Sequence, residues 1–218
     1  MFKSPYHYRG ACIQNCAAAG VKLTQNSTPI YFALDLLIFI HFRSTNLIMA
    51  TLATTLGLRA PALPNSTIPN YAPAWVTFHF FWAYVALAPR HLKQWYGIDH
   101  QVSPREDLAK YGDAAVKSGK ISQKTLGMMK RNESAQHNST ENYILFVGAT
   151  AFATVAGIEP ELINRAGLVY TLARFAYAAI YIFVDSPIWS LTRSLAWWVG
   201  NISCLFLLWR AGQKLNLD

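Results

Sequence analysis

Cysteine is scarce in this 218-residue chain, which has three: Cys12, Cys16 and Cys204. Cys12 and Cys16 form C-x-x-x-C without a His or Cys partner at metal-binding spacing, so neither a zinc site nor a disulfide framework takes shape. No metal is expected, and Cys204, in an apolar run, reads as a small buried hydrophobe. Charge is scarce too. Charged residues make up 14% of the chain and hydrophobic ones 53%, where a soluble domain carries about a quarter charged; the balance leans towards a membrane. Acid is scarcest, 11 residues against 19 lysines and arginines, for a net charge of +8. A basic excess can serve nucleic acid. Here the basic residues gather between Arg90 and Arg131, bounded by apolar segments, and no base-reading motif accompanies them. A loop held on the cytoplasmic side of a membrane fits better, and nucleic acid is not an expected partner. Internal repeats and long low-complexity tracts are missing. No complete span has polar residues running through it, which argues against a channel or transporter.

What is present is a series of apolar runs. The earliest, Tyr31 to Phe42, is too short to cross a bilayer and is interrupted by Asp35. Residues 1–48 read as an extension ahead of Met49, which stands where a start is ordinary; finding the full-length N-terminal peptide in native protein by mass spectrometry would refute that expectation. Residues 49–70, with their prolines, form an irregular lead-in. Four spans are then expected. The first is Tyr71 to Pro89, with Trp75, Trp82 and Tyr84 as interfacial aromatics. The second runs from about Asn142 to Ile158, the third from Leu162 to Val184, and the fourth from Ile188 to about Trp209. Short links at 157–160 and 185–187 make the last three antiparallel neighbours. In the basic loop 90–131, Ser103 with Glu106 predicts a capping box. Positive charge places this loop and the Asp185 turn in the cytoplasm and both termini opposite. Asn65 is open to glycosylation on that side, whereas Asn132 and Asn138 are not.

Three groups of polar residues stand out on these helices. In RNESAQHNSTEN, residues 131–142, Arg131, Ala135, Asn138 and Asn142 share a helical face, with Glu141 beside it. They form either a solvated cap or the floor of a ligand site; Gln136 and His137 lie off that face, and His137 reads as exposed. Arg174, Tyr177 and Tyr181 share a face of the third span. An arginine there costs about 2.5 kcal/mol or more against lipid, so it needs a partner or a cavity, and Glu141 or Asn138 are the natural partners. On the fourth span Arg193, Trp197 and Asn201 share a face; Arg193 either snorkels to the interface or lines a pocket. Arginines, an amide, a carboxylate and tyrosines around one cleft suit a small anionic ligand carrying carboxylates and amides, with an apolar co-substrate arriving from the bilayer.

RNESAQHNSTENYILF followed by ARFAYAAIY resembles the membrane-associated proteins in eicosanoid and glutathione metabolism, the MAPEG family, in particular its microbial and fungal microsomal glutathione transferase-like members. The resemblance covers Tyr71 to Gly212 and rests on an Arg ahead of A-[HQ]-x-N-x-x-E and an R-x-x-Y-x-x-x-Y, in that order. It implies an all-α integral membrane protein, a left-handed four-helix bundle over residues 71–212 that assembles as a homotrimer, with glutathione as co-substrate bound between subunits. By position, Arg131, Gln136, Asn138, Glu141, Arg174, Tyr177 and Tyr181 correspond to glutathione-binding residues. Arg193, then Arg174, correspond to the arginine that activates the thiol. Some members have arginine immediately before the Ala, where this chain has Ser134; Arg131 stands three residues earlier. The implied activity is conjugation of glutathione to hydrophobic electrophiles, or reduction of lipid hydroperoxides, in the endoplasmic reticulum or another endomembrane. A non-catalytic lipid-binding scaffold of the same fold is the alternative.

Overall fold

The computed structural model describes residues 43–61 and 66–216. The chain divides into two compact units, Met1–Leu52 and Ala53–Asp218. Of the first, residues 43–52 are helical. The apolar stretch Tyr31 to Phe42, both Cys12 and Cys16, and Asn65 lie outside the described residues. In the second unit the described residues are helical or irregular, with no strand among them.

Helix α1, Ala72–Phe81, has Pro73 in its first turn, where the missing N–H is no loss. It runs on as a π-helical stretch, Trp82–Ala86. There the Leu87 N–H reaches back to the Trp82 carbonyl at 3.1 Å. Widening the helix turns carbonyls away from their usual partners, and two side chains from the polar stretch 131–142 meet them. Gln136 Nε2 donates to the Ala83 carbonyl and Asn132 Nδ2 to the Leu87 carbonyl, each at 3.4 Å.

The basic segment is folded, with short helices α2 (Pro89–Trp95), α3 (Asp107–Lys110) and α4 (Gly112–Lys117). They close over a small core that includes Ile98, Leu108, Ile121, Leu126 and Met129. Buried Lys93 lies 3.7 Å from Glu133 and 4.0 Å from the equally buried Asp107. Asp107 in turn accepts from His100 through its backbone N–H at 3.2 Å and ring Nδ1 at 3.1 Å. The expected capping box at Ser103 is not formed: α3 starts at Asp107, no side chain caps it, and Glu106 pairs with Lys110 one turn on. That hydrogen bond, with the attraction of the carboxylate, raises the lysine's pKa.

Three long helices complete the unit. Helix α5, Gln123–Val155, is capped by Ser122, whose hydroxyl accepts from Thr125 N–H at 3.0 Å. It begins ahead of the apolar span expected from about Asn142, so the polar stripe from Arg131 is helical as its spacing predicts, and it takes in the last turns of the expected loop as well. Helices α6 (Pro160–Phe183) and α7 (Pro187–Leu215) each open on a proline, close to where the sequence puts them. Gly157, at φ 66°, makes the turn between α5 and α6, with the Ile158 N–H closing back on the Ala153 carbonyl at 3.0 Å. Helix α6 packs on α7, α5 on both, and α1 on α5 and α6. The core between them contains Phe146, Ile163, Tyr170, Cys204 and Leu207, so Cys204 is the buried hydrophobe expected. Among the described residues two helices, α6 and α7, are long and apolar enough to cross a membrane. Helix α7 leaves a broad apolar face exposed, from Ile188 and Trp189 to Phe206 and Trp209.

Asn164, fully buried, ties the lead-in to α6: its amide donates to the Gly57 and Pro69 carbonyls at 3.0 and 2.8 Å and accepts from Tyr71 N–H at 2.9 Å. One turn on, Gly167 lets the Trp75 indole lie against the α6 backbone, since a Cβ there would come within 2.7 Å of the ring. Gly167→Ala is expected to destabilise the fold by about 1–3 kcal/mol through overpacking. Thermal unfolding in detergent, monitored by circular dichroism, reads this as a lowered midpoint with unchanged helicity at low temperature.

Candidate functional site

The site begins with a cation in an apolar helix. Arg174, near the middle of α6, is 1% exposed, among the most deeply buried large side chains of the described residues. Its Nη2 donates to Asn138 Oδ1 at 3.1 Å and Ser139 Oγ at 3.0 Å, both on α5. Its guanidinium lies over the Tyr177 ring at 4.5 Å, one turn on. No carboxylate pairs with it among the described residues, and Nη1 is buried without a hydrogen-bond partner. Of the two partners expected for Arg174, Asn138 is engaged. Glu141 is not: it stands exposed, one turn beyond Asn138. Ser139 takes part instead, although it lies off the helical stripe that joins Arg131 to Asn138.

The arrangement continues towards the α6–α7 link. Tyr177 and Tyr181 are in edge contact, ring centroids 5.4 Å apart. Arg193, half-buried in the second turn of α7, lies over the Tyr181 ring at 4.1 Å. Arg174, Tyr177, Tyr181 and Arg193 therefore form a continuous row with a guanidinium at each end, each cation facing a π-surface. Gly200 carries α7 past this row, where a Cβ would stand 3.7 Å from Arg174 Cδ. Next to it, Asn201 Oδ1 is buried with no donor, as is the Trp197 indole N–H without an acceptor. The sequence puts Arg193, Trp197 and Asn201 on one face of the fourth span; what sequence alone does not show is that Asn201 and Trp197 are left with polar atoms open. Buried polar groups without partners are rare, and Arg174 Nη1 on α6 and the Trp197 and Asn201 atoms on α7 are three of them, each open to a polar ligand or water.

Two of the expected binding residues have structural engagements. Arg131 donates through Nε to the Ile182 carbonyl at 3.1 Å and through Nη1 to Asp185 at 2.8 Å, which fastens α5 to the α6–α7 link. Gln136 faces the π-helical stretch rather than Arg174. The stripe Arg131, Asn138, Asn142 does share a face, and that face packs on α6: Asn142 is buried and donates to Asn138 Oδ1 at 3.2 Å. It is not a solvated cap. Ser134 is exposed and bonds the Lys130 carbonyl within its own helix, and His137 is exposed as expected. Among the described residues no group of His, Cys, Asp or Glu is placed to hold a metal ion.

Chemically, the row offers a cation unneutralised by any acid among the described residues, a second cation nearer the helix end, and amide and phenol groups between them. Anionic groups and amides are what it can hold. The model of the MAPEG family matches residues 70–213. No curated protein and no solved structure matches the chain.

Proposed function

The chain belongs to the MAPEG family, and on that premise we propose that it is a membrane-bound glutathione transferase or peroxidase acting on hydrophobic electrophiles or lipid hydroperoxides. The observation that carries this reading is Arg174: buried, bonded to Asn138 and Ser139, and without an acidic partner. Burying a cation is costly unless it is paired, so a fold that keeps one between neutral amide and hydroxyl groups leaves its charge for an anion. Glutathione, with two carboxylates, two amides and a thiol, supplies the anion. Asn138, Arg174 and Tyr177 would hold its backbone, and exposed Glu141 its ammonium group.

Arg193 is assigned to the thiol. A free thiol has a pKa of about 8.5 and reacts as the thiolate; a guanidinium close by favours the charged form. The Arg193 guanidinium is held in place by the Tyr181 ring. The thiol proton goes to solvent, and the thiolate attacks an electrophilic carbon to give a thioether, as a leaving group departs with its electron pair or, on an epoxide or activated double bond, the displaced electron pair takes a proton from solvent. With a hydroperoxide, the thiolate attacks the peroxide bond and releases the alcohol, and a second glutathione closes the disulfide as water leaves. The proposal includes a homotrimer, four spans in an endomembrane such as the endoplasmic reticulum with the segment 90–131 in the cytoplasm, and a hydrophobic substrate reaching the site from the lipid.

A lipid-binding scaffold without turnover is the second reading. It is favoured by the engagement of Arg131 and Gln136 in helix packing, since both correspond to ligand contacts in the resemblance. Isothermal titration of glutathione into the detergent-purified protein separates the two. Saturable binding is expected, lost in an Asn138→Ala/Glu141→Ala variant. A folded oligomer that releases no binding heat would leave the scaffold as the account.

A further inference from the structure

Helices α6 and α7 run antiparallel from a short link, and two contacts fix their register. Near the link, Arg193 lies over the Tyr181 ring. Deeper in, a Cβ on Gly200 would meet Tyr170, Ala173 and Arg174 at 3.6–3.7 Å. From Arg193 to Gly200 is seven residues along α7, and from Tyr181 back to Arg174 is seven along α6, about 10 Å on either helix. The two helices therefore keep step. Trp197 stands at the level of Tyr177, and Asn201 at the level of Arg174. Burial deepens in the same direction, from half-buried Arg193 and Trp197 to Asn201, which is 5% exposed.

Trp197 and Asn201 are one helical turn apart on a face of α7. Each has a buried polar atom with no hydrogen-bond partner among the described residues, the indole N–H and the amide Oδ1. The two atoms have opposite needs. An indole nitrogen only donates, and an amide oxygen only accepts. A carboxylate, which only accepts, leaves Oδ1 unmet; an ammonium group leaves the indole unmet; an acyl chain leaves both. Keeping either atom buried and unmet is costly. A peptide chain meets both, because an extended residue presents its own N–H and C=O on one edge.

We propose that Trp197 and Asn201 bind the peptide backbone of the ligand, the indole N–H donating to a ligand carbonyl and Asn201 Oδ1 accepting from a ligand amide N–H. This rests on the glutathione reading and deepens it: the site then selects a peptide thiol, not merely an anionic one. The placement agrees with the roles given to the arginines. Arg193 and Arg174 stand at the two ends of the row, one assigned to the thiol and the other to an anionic end of the ligand. In glutathione the chain that joins thiol to carboxylates is made of amides, and Trp197 and Asn201 lie along that interval on α7.

The test is calorimetric titration of the detergent-purified full chain with glutathione and with its two ester analogues, in each of which one amide N–H is replaced by oxygen. The parent chain is expected to bind glutathione, and to bind one of the analogues about tenfold more weakly, the scale of one buried hydrogen bond left unmade. Asn201→Leu should bind glutathione about tenfold more weakly than the parent and should no longer distinguish it from that analogue. Trp197→Phe, which keeps an aromatic ring but loses the N–H, should weaken glutathione to a similar degree while still distinguishing the analogue. Both variants are expected to unfold at or above the parent's midpoint, because each removes a polar atom that is unsatisfied in the unliganded chain. Glutathione affinity unchanged in either variant would overturn the proposal, since the group would then serve packing or hold water only. So would a parent chain that binds both analogues as tightly as glutathione. A parent chain that binds no glutathione overturns the glutathione reading itself, and the peptide contacts with it, so the two failures are told apart.

Discussion

Arg174→Met is expected to fold as well as the parent chain, or better, and to bind glutathione at least about 100-fold more weakly. The two halves of this expectation come from one fact. Arg174 has hydrogen bonds to neutral groups, a tyrosine face beneath it and no counter-ion among the described residues. A buried charge in that position carries a desolvation penalty that its neighbours offset only in part, and apolar replacements of similar volume at buried ionic sites are often neutral or stabilising. Methionine fills the space with a flexible apolar chain and leaves Asn138 and Ser139 with neutral polar atoms, a modest loss. Binding responds in the opposite direction. Truncating one partner of a buried charge-assisted contact costs about 2–5 kcal/mol, and about 2.7 kcal/mol is already 100-fold. Thermal unfolding and calorimetric titration on the same preparation check both. Unchanged affinity would remove Arg174 from the site; a collapse in stability with affinity preserved in the remaining folded protein would make it a packing residue. Arg174→Lys gives a finer reading, because it keeps the charge but loses the planar fork in which Nη2 holds both Asn138 and Ser139 and Nη1 is left open for a ligand.

How much of the fold is legible in the sequence depends on which physical signal each feature leaves. The ends of α6 and α7 are readable because prolines and a glycine mark them: Pro160, Pro187 and Gly157 have backbone preferences that act locally. The start of α5 is not, since its first turns are polar enough to resemble a loop and are held by helices α2–α4, a tertiary contact. The π-helical stretch Trp82–Ala86 has no mark in WAYVA itself. Its requirements are met by Asn132 and Gln136, about 50 residues later in the chain, and nothing in either segment announces that pairing. Ser103 fails as a cap for a related reason. The local S-x-x-E pattern is present, but Glu106 finds Lys110 and the chain from His100 to Asp107 is fixed by the buried acid.

The site is legible to the same degree. Arg174 stands out because a cation in an apolar span demands an explanation, and its tyrosine neighbour at i+3 follows from helical spacing. That Asn138 rather than Glu141 meets it is a matter of rotation about the α5 axis, which sequence spacing does not resolve. Ser139 leaves no signal because a small hydroxyl on a helix is common and usually bonds its own backbone. Asn201 and Trp197 fall on a face with Arg193, but that their polar atoms are buried without partners depends on packing, which helical spacing does not show.

Arg193→Gln is expected to leave glutathione affinity nearly unchanged and to lower kcat at pH 7 by about 30- to 100-fold. Glutamine retains a hydrogen-bonding end but removes the charge, so the interaction lost is the one with the thiolate. The size of the effect comes from the thiol's protonation. With the guanidinium present the bound thiol is expected to ionise below neutral pH, so that most of it is thiolate at pH 7; without it the pKa should return towards about 8.5, where only about 3% is thiolate at pH 7. The lost stabilisation of charge that moves in the transition state adds to this. The sign of the pH dependence separates these terms. A cation lowers the thiol pKa, so the parent rate should plateau from about neutral pH upward, whereas the variant rate should still be rising and should recover most of the protonation deficit above about pH 9. Thiolate absorbance of bound glutathione, titrated against pH, reads the same shift without turnover. A rate that falls equally at every pH, with the thiolate titration unmoved, would assign Arg193 to substrate positioning through its contact with Tyr181. A parent chain that binds glutathione but never forms thiolate below pH 8 would mean that the row of arginines and tyrosines binds the ligand without activating it, and would remove thiol activation from the proposal while leaving the binding site in place.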